Sequence, residues 1–180
     1  MAYIGLRKPW VGERKAEGSY AAPVPYGKAV SFSDTPSVSE ASLYGDDGLA
    51  EFEKATTSSA LSLGTTDYPD AVKTLMFGHT AEGSEYAYGI DDESPYVGFA
   101  IIGVKKVDGV RTFEAKFYPK TQWKEPTISY ATRGDSTSFA TPSTEGTALP
   151  DESGNYKYEE NFENETDAIK WVNGKFGVTA

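Results

Sequence analysis

The chain has 180 residues, no cysteine, and 27 acidic against 17 basic residues, for a formal net charge of -10. That length suits one domain burying roughly 70% of its unfolded surface, and the missing cysteine excludes disulfides, thiolate zinc sites and cysteine nucleophiles. The acidity argues against a surface that grips nucleic-acid phosphates, while an aromatic share of 13% is too high for a disordered acidic chain.

Residues 1–27 read as an N-terminal arm. The opening Met1-Ala2-Tyr3-Ile4-Gly5 lacks the basic and apolar regions of a signal peptide. An apolar-basic lead runs from Tyr3 to Trp10, and residues 11–27, rich in Gly, Ala and Pro, read as a long loop. Removing 12–24 should then leave the monomer folded. A β core is expected over 28–154. Short strands are predicted at about 28–33 and 38–44, followed by the turn Gly45-Asp46-Asp47-Gly48. A Thr/Ser-rich strand over 56–63 would place Leu61 and Leu63 on one face.

At about 68–78 the period becomes helical. Pro69 suits a first helical turn, Ala71, Val72, Leu75 and Met76 form a stripe, and Gly78 supplies the stop. The clearest local feature is a hairpin in which 97–107 and 110–118 flank Asp108-Gly109, a dipeptide suited to tight turns with positive φ at both positions. Pairing Val107 with Val110 sets Val104 opposite Phe113, Ile102 opposite Ala115 and Ala100 opposite Phe117, all apolar. The other face pairs Lys105 with Thr112, Gly103 with Glu114 and Ile101 with Lys116, so one face is predicted as core and the other as open to solvent or a partner. A second hairpin is expected around Arg133-Gly134-Asp135, joining 127–132 to 136–141, with 142–154 as loop. Residues 155–180 should form a strand and a closing helix capped by Asn164 or Thr166, striped by Ala168, Ile169 and Val172, and ended by Gly174.

Motifs for chemistry are few. His79 is the only histidine and lacks recognisable partners for a triad or zinc site. Nucleophile-elbow and phosphate-loop patterns are missing, so neither an enzyme nor a cofactor is expected. Tyr44-Gly45-Asp46-Asp47 matches a polymerase metal turn, but the chain is too short and too acidic for that chemistry, and Asp34 is the only upstream aspartate. Arg133-Gly134-Asp135, an adhesion tripeptide, reads as a turn. Asp91-Asp92-Glu93 lacks the spaced oxygens of a calcium loop.

Three stretches carry a resemblance: Tyr3-Ile4-Gly5-Leu6-Arg7; residues 41–51, Ala-Ser-Leu-Tyr-Gly-Asp-Asp-Gly-Leu-Ala-Glu; and the run from Tyr96 through Lys105-Lys106-Val107-Asp108-Gly109 to Phe117-Tyr118-Pro119-Lys120, Trp123, Glu125-Pro126 and 139–148. Their order resembles the major tail tube proteins of phages with long non-contractile tails. The resemblance implies a β-sandwich or half-barrel with two short helices, whose hexameric rings close a continuous β-barrel and stack into a tube. It further implies a virion location, assembly in the host cytoplasm, tape measure, tail terminator and tail tip or baseplate proteins as partners, and DNA passing without specific binding or membrane contact. Trp10, Tyr20, Tyr44, Asp46, Asp47, Glu51 and Phe52 are the candidate inter-subunit contacts. A contractile or secretion-type tube protein is a rival of the same kind. The rival of another class is a secreted immunoglobulin-like or carbohydrate-binding β-sandwich.

Overall fold

The computed structural model describes every residue except 1, 17, 47, 131, 133–139, 179 and 180. Its elements run β1 (Ala2–Ala16), β2 (Ser19–Tyr20), β3 (Val24–Pro25), β4 (Ala29–Gly45), β5 (Gly48–Thr65), α1 (Asp70–Phe77), β6 (Thr80–Glu82), β7 (Glu85–Ala87), β8 (Val97–Val107), β9 (Val110–Trp123), β10 (Ser143–Ala148), β11 (Tyr158–Phe162) and α2 (Glu165–Lys175). The chain is mostly β with two helices, sandwich-like, and its sheet does not close into a barrel.

The main sheet has the order β2-β1-β8-β9-β10-β5-β4, with β3 beside β1 and β11 beside β9. β6 and β7 form a separate small ladder. β9 splits the sheet because it outruns both neighbours on its far side. Its residues 113–117 pair with β11, whereas 121–123 pair with β10.

The β8–β9 register matches the sequence reading, with Val107 opposite Val110, Val104 opposite Phe113 and Ala100 opposite Phe117. Asp108 and Gly109 take φ 48° and 86°, the two positive values that this turn demands. The expected open face is a correction, since both faces of this hairpin are covered. Ala100, Ile102, Ala115 and Phe117 pack beneath α2 with Ala168, Val172 and Phe176. Val97, Phe99, Ile101 and Tyr118 face a second core with Val11, Tyr26, Leu61, Leu63, Trp123 and α1. An unbroken apolar run such as Val97–Ile102 is what a strand covered on both sides requires.

The N-terminal arm is a second correction. β1 continues through Ala16, its 2–13 portion laddered on β8. β2 and β3 fold back on it. Val11 and Tyr26 are fully buried, and a Cβ at Gly12 would meet the Phe176 ring at 2.7 Å. Removing 12–24 would take away the end of β1, all of β2 and the Tyr20 ring that packs against the α2 core. Pro25 does not break this pairing. It sits in an edge strand, opposite Trp10, where a missing N–H costs no ladder bond.

The separate strands expected before residue 64 are two long strands, β4 and β5, joined across Asp46 (φ 48°). Pro36 lies within β4, tolerated because β4 is the last strand of the sheet. α1 begins after Pro69, which is its N-cap rather than its first helical residue, and stops at Gly78 in the left-handed conformation. A Cβ at Gly78 would collide with the Glu93 carbonyl oxygen. In α2 the Asn164 side chain accepts from the Asp167 N–H at 2.9 Å, as expected of the cap. Gly174 does not end that helix, which runs to Lys175 with Gly177 beyond it at φ 74°. The expected loop 142–154 contains β10, whose Thr144, Gly146 and Ala148 are buried. The second hairpin falls largely outside the described residues, and its described start gives only a bridge between Thr127 and Ser143.

Candidate functional site: the β4–β5 ribbon

From Ser37 opposite Ser58 to Gly45 opposite Gly48, β4 and β5 pair with each other alone among the described strands. This stretch spans about 30 Å at the rise of a strand. Its described side chains are solvent-exposed apart from Ser58. Ser, Thr and Val suit an extended backbone, but a free two-stranded ribbon is marginal in water.

The register sorts its side chains onto two faces. One face pairs Ala41 with Glu53 and Leu43 with Glu51. The other pairs Val38 with Thr56, Glu40 with Lys54 and Ser42 with Phe52, the Lys54–Glu40 ion pair measuring 3.5 Å. Tyr44 (72% exposed), Leu43 (60%), Phe52 (53%) and Val38 (42%) are large apolar groups left in water. Along the outer side of β4, no described strand pairs with the backbone, so its donors and acceptors form an open edge of the kind that invites another chain.

Of the candidate contacts, Tyr44, Asp46, Glu51 and Phe52 lie together at the ribbon tip. Asp47 lies outside the described residues. Trp10 and Tyr20 do not belong with them. Both pack against the α2 core, and Tyr20 donates to the Pro119 carbonyl at 2.8 Å while standing edge-on to Phe117 and Phe176. Trp10 is only partly buried and also lines a surface groove beside Pro25 and Lys28.

At the ribbon base lies a cleft of about 530 Å³ between β1 and β4, floored by Ile101 and Gly103. Its wall carries a charge network in which Glu114 and Lys116 of the hairpin's mixed face meet Asp34 and Lys157. Glu114, 1% exposed, accepts from Tyr3 Oη at 2.9 Å and from Lys105, with Lys116 at 3.3 Å. Asp34 accepts from Tyr118 Oη at 2.8 Å, Lys157 at 3.1 Å and Ser59. Glu159 joins the halves, 4.0 Å from Lys116 and 3.7 Å from Lys157. Burial alone would raise the Glu114 carboxyl, but hydrogen bonds from Lys105 and Tyr3 with the Lys116 charge outweigh it and hold it low. At Asp34 burial is likewise outweighed by Ser59, Tyr118 and Lys157. Both folded-state values lie below the unfolded ones, so this stabilisation is present above the unfolded carboxyl range and is lost as pH falls through the folded values. The urea midpoint should thus change little from these groups between neutrality and pH of about 5, then fall below about 4. Asp34→Asn should flatten part of that acid limb; an unchanged limb would remove Asp34 from the account.

His79 is buried beside Phe77 and Tyr88, its Nδ1–H donating to Asp92 Oδ2 at 2.8 Å. The His79 hydrogen bond and then the Gly89 N–H hold the Asp92 carboxyl below its ordinary range. Nε2 is buried without a partner among the described residues, so the ring has no hydrogen-bonded nucleophile to activate. Asp92 of the acidic triplet is thereby engaged, and no group of three or more metal-ligating side chains occurs among the described residues. No described helix is long and apolar enough to cross a membrane. No protein-family model matches the chain, and no curated protein matches it.

Proposed function

We propose that the protein is a non-enzymatic structural subunit that polymerises with copies of itself into stacked hexameric rings, as the tail tube of a long-tailed phage does. The observation that carries this reading is the β4–β5 ribbon, two strands with open faces, exposed Tyr44, Leu43, Phe52 and Val38, and an outer edge that no described strand pairs. A monomer gains nothing from such an element and risks aggregation. A ring of identical copies covers it and joins the open sheets into a continuous barrel. The net charge of -10 suits a conduit that DNA must pass without sticking. On this reading the partners are other copies, then the tape measure, terminator and tail tip proteins, in the virion tail after assembly in the host cytoplasm.

Electron microscopy and sedimentation of the purified protein across a concentration series provide the test. Rings or tubes that appear above a threshold concentration, and grow faster when seeded with preformed ones, are the expected result. A protein that stays monomeric at millimolar concentration, or that binds glycans as a monomer, would favour a secreted β-sandwich binding module instead.

A further inference from the structure

The molecule is electrically lopsided in a way that follows β4. Residues 1–28 carry Arg7, Lys8, Arg14, Lys15 and Lys28 against Glu13 and Glu17, whereas residues 40–54 carry Glu40, Asp46, Asp47, Glu51 and Glu53 against Lys54. In a chain so acidic overall, the positive patch is local. It gathers in a groove of about 660 Å³ where β1 passes the start of β4, lined by Arg7, Lys8, Trp10, Pro25 and Lys28 among others. A register shift in β1 between Arg7 and Trp10, with Lys8 at φ 52°, interrupts the ladder there. Glu165 is the only carboxylate of the groove among the described residues and engages Arg7 at 2.6 Å and Lys8 at 3.6 Å. Three cations thus stand over one anion, beside the half-buried indole of Trp10.

We infer that this groove is the seat for the ribbon tip of a second copy of the chain, taken on the face that pairs Leu43 with Glu51 and Ala41 with Glu53. Leu43 supplies the apolar contact for Trp10 and Pro25, and the two glutamates meet Lys8 and Lys28. The contact cannot form within one copy. The groove lies at the first residue of β4 and the tip at its last, about 50 Å apart along the strand. On the self-assembly reading the interface is heterologous, tip of one copy to base of the next, and such contacts propagate into closed rings or open stacks, whereas a reciprocal tip-to-base pair would stop at a two-fold dimer. Opposed charge sets the register and orientation of the encounter, and the apolar centre holds it. The inference rests on the self-assembly reading and names the surfaces that it leaves open.

The test uses full-length protein in four forms, wild type, tip-reversed E51K/E53K, groove-reversed K8E/K28E, and the combination. Each reversed form should fold as the wild type does by circular dichroism and need roughly tenfold more protein to assemble, because like charges then face each other. The combination should recover most of the loss. As an independent readout, a mixture of E53C and K28C variants should form disulfide-linked pairs in assembled particles, in a chain with no other cysteine. A wild type that never assembles would sink the self-assembly reading itself. Wild-type assembly with unaffected single reversals, or with no E53C–K28C crosslink, would overturn this docking surface while leaving that reading standing.

Discussion

Excising residues 38–57 and joining Ser37 to Ser58 through an Asn-Gly turn should yield a folded monomer that makes no rings or tubes at any concentration. Neither core cluster draws a described residue from that segment, and Ser37 and Ser58 already face each other across the ladder. Asn-Gly provides the two positive φ values for a tight reconnection. The stability change should stay within about 1 kcal/mol, a shift in Tm of a few degrees for a chain this size. Assembly should be lost entirely, because the same cut removes Leu43, Tyr44, Glu51 and Phe52 and half the open edge of β4. Sedimentation and calorimetry on the same preparation separate the two effects. Tubes from the trimmed chain would show that the ribbon is dispensable, and a trimmed chain that melts without cooperativity would make it part of the fold.

Glu114→Ala should be the most damaging single substitution in the charge network. It leaves the Lys105 ammonium, in a residue only 8% exposed, beside a hole, with Asn161 at 3.3 Å as its remaining hydrogen-bond partner. Breaking a buried pair in this way costs about 3–5 kcal/mol, more than the pair contributes, because a desolvated charge remains. That loss corresponds to a Tm drop of roughly 6–20 °C. Replacing both partners with apolar groups, Lys105→Met with Glu114→Leu, should recover much of it. Chemical denaturation of the two single variants and the double variant makes the comparison. A loss below about 1 kcal/mol for Glu114→Ala would mean that water reaches the network and screens it.

The β8–β9 register, the stop of α1 at Gly78 and the Asn164 cap were legible in the sequence because a few adjacent residues contain the whole signal. Asp108-Gly109 needs no distant partner to prefer its turn, and the alternation beside it sets which side chains share a face. The ribbon tip was partly legible for a similar reason. Tyr44, Asp46, Glu51 and Phe52 are close in sequence, so a turn between two strands necessarily brings them together.

Other features were settled only when remote elements met. Whether the Lys105–Glu114 face of the hairpin is open depends on β1, β4 and β5 curling over it, and nothing within residues 97–118 encodes that. Residues 11–27 look like a loop by composition, yet β8 offers β1 a partner and Phe176 fills the space that Gly12 leaves. Tyr20 packs against the core under α2 for the same reason. Turn and cap preferences are energies of a few neighbouring atoms, which the chain carries wherever it goes. Burial is the removal of water by whatever arrives from elsewhere, so the amino-acid order alone states which groups would gain from it, and the tertiary fold decides which of them are covered.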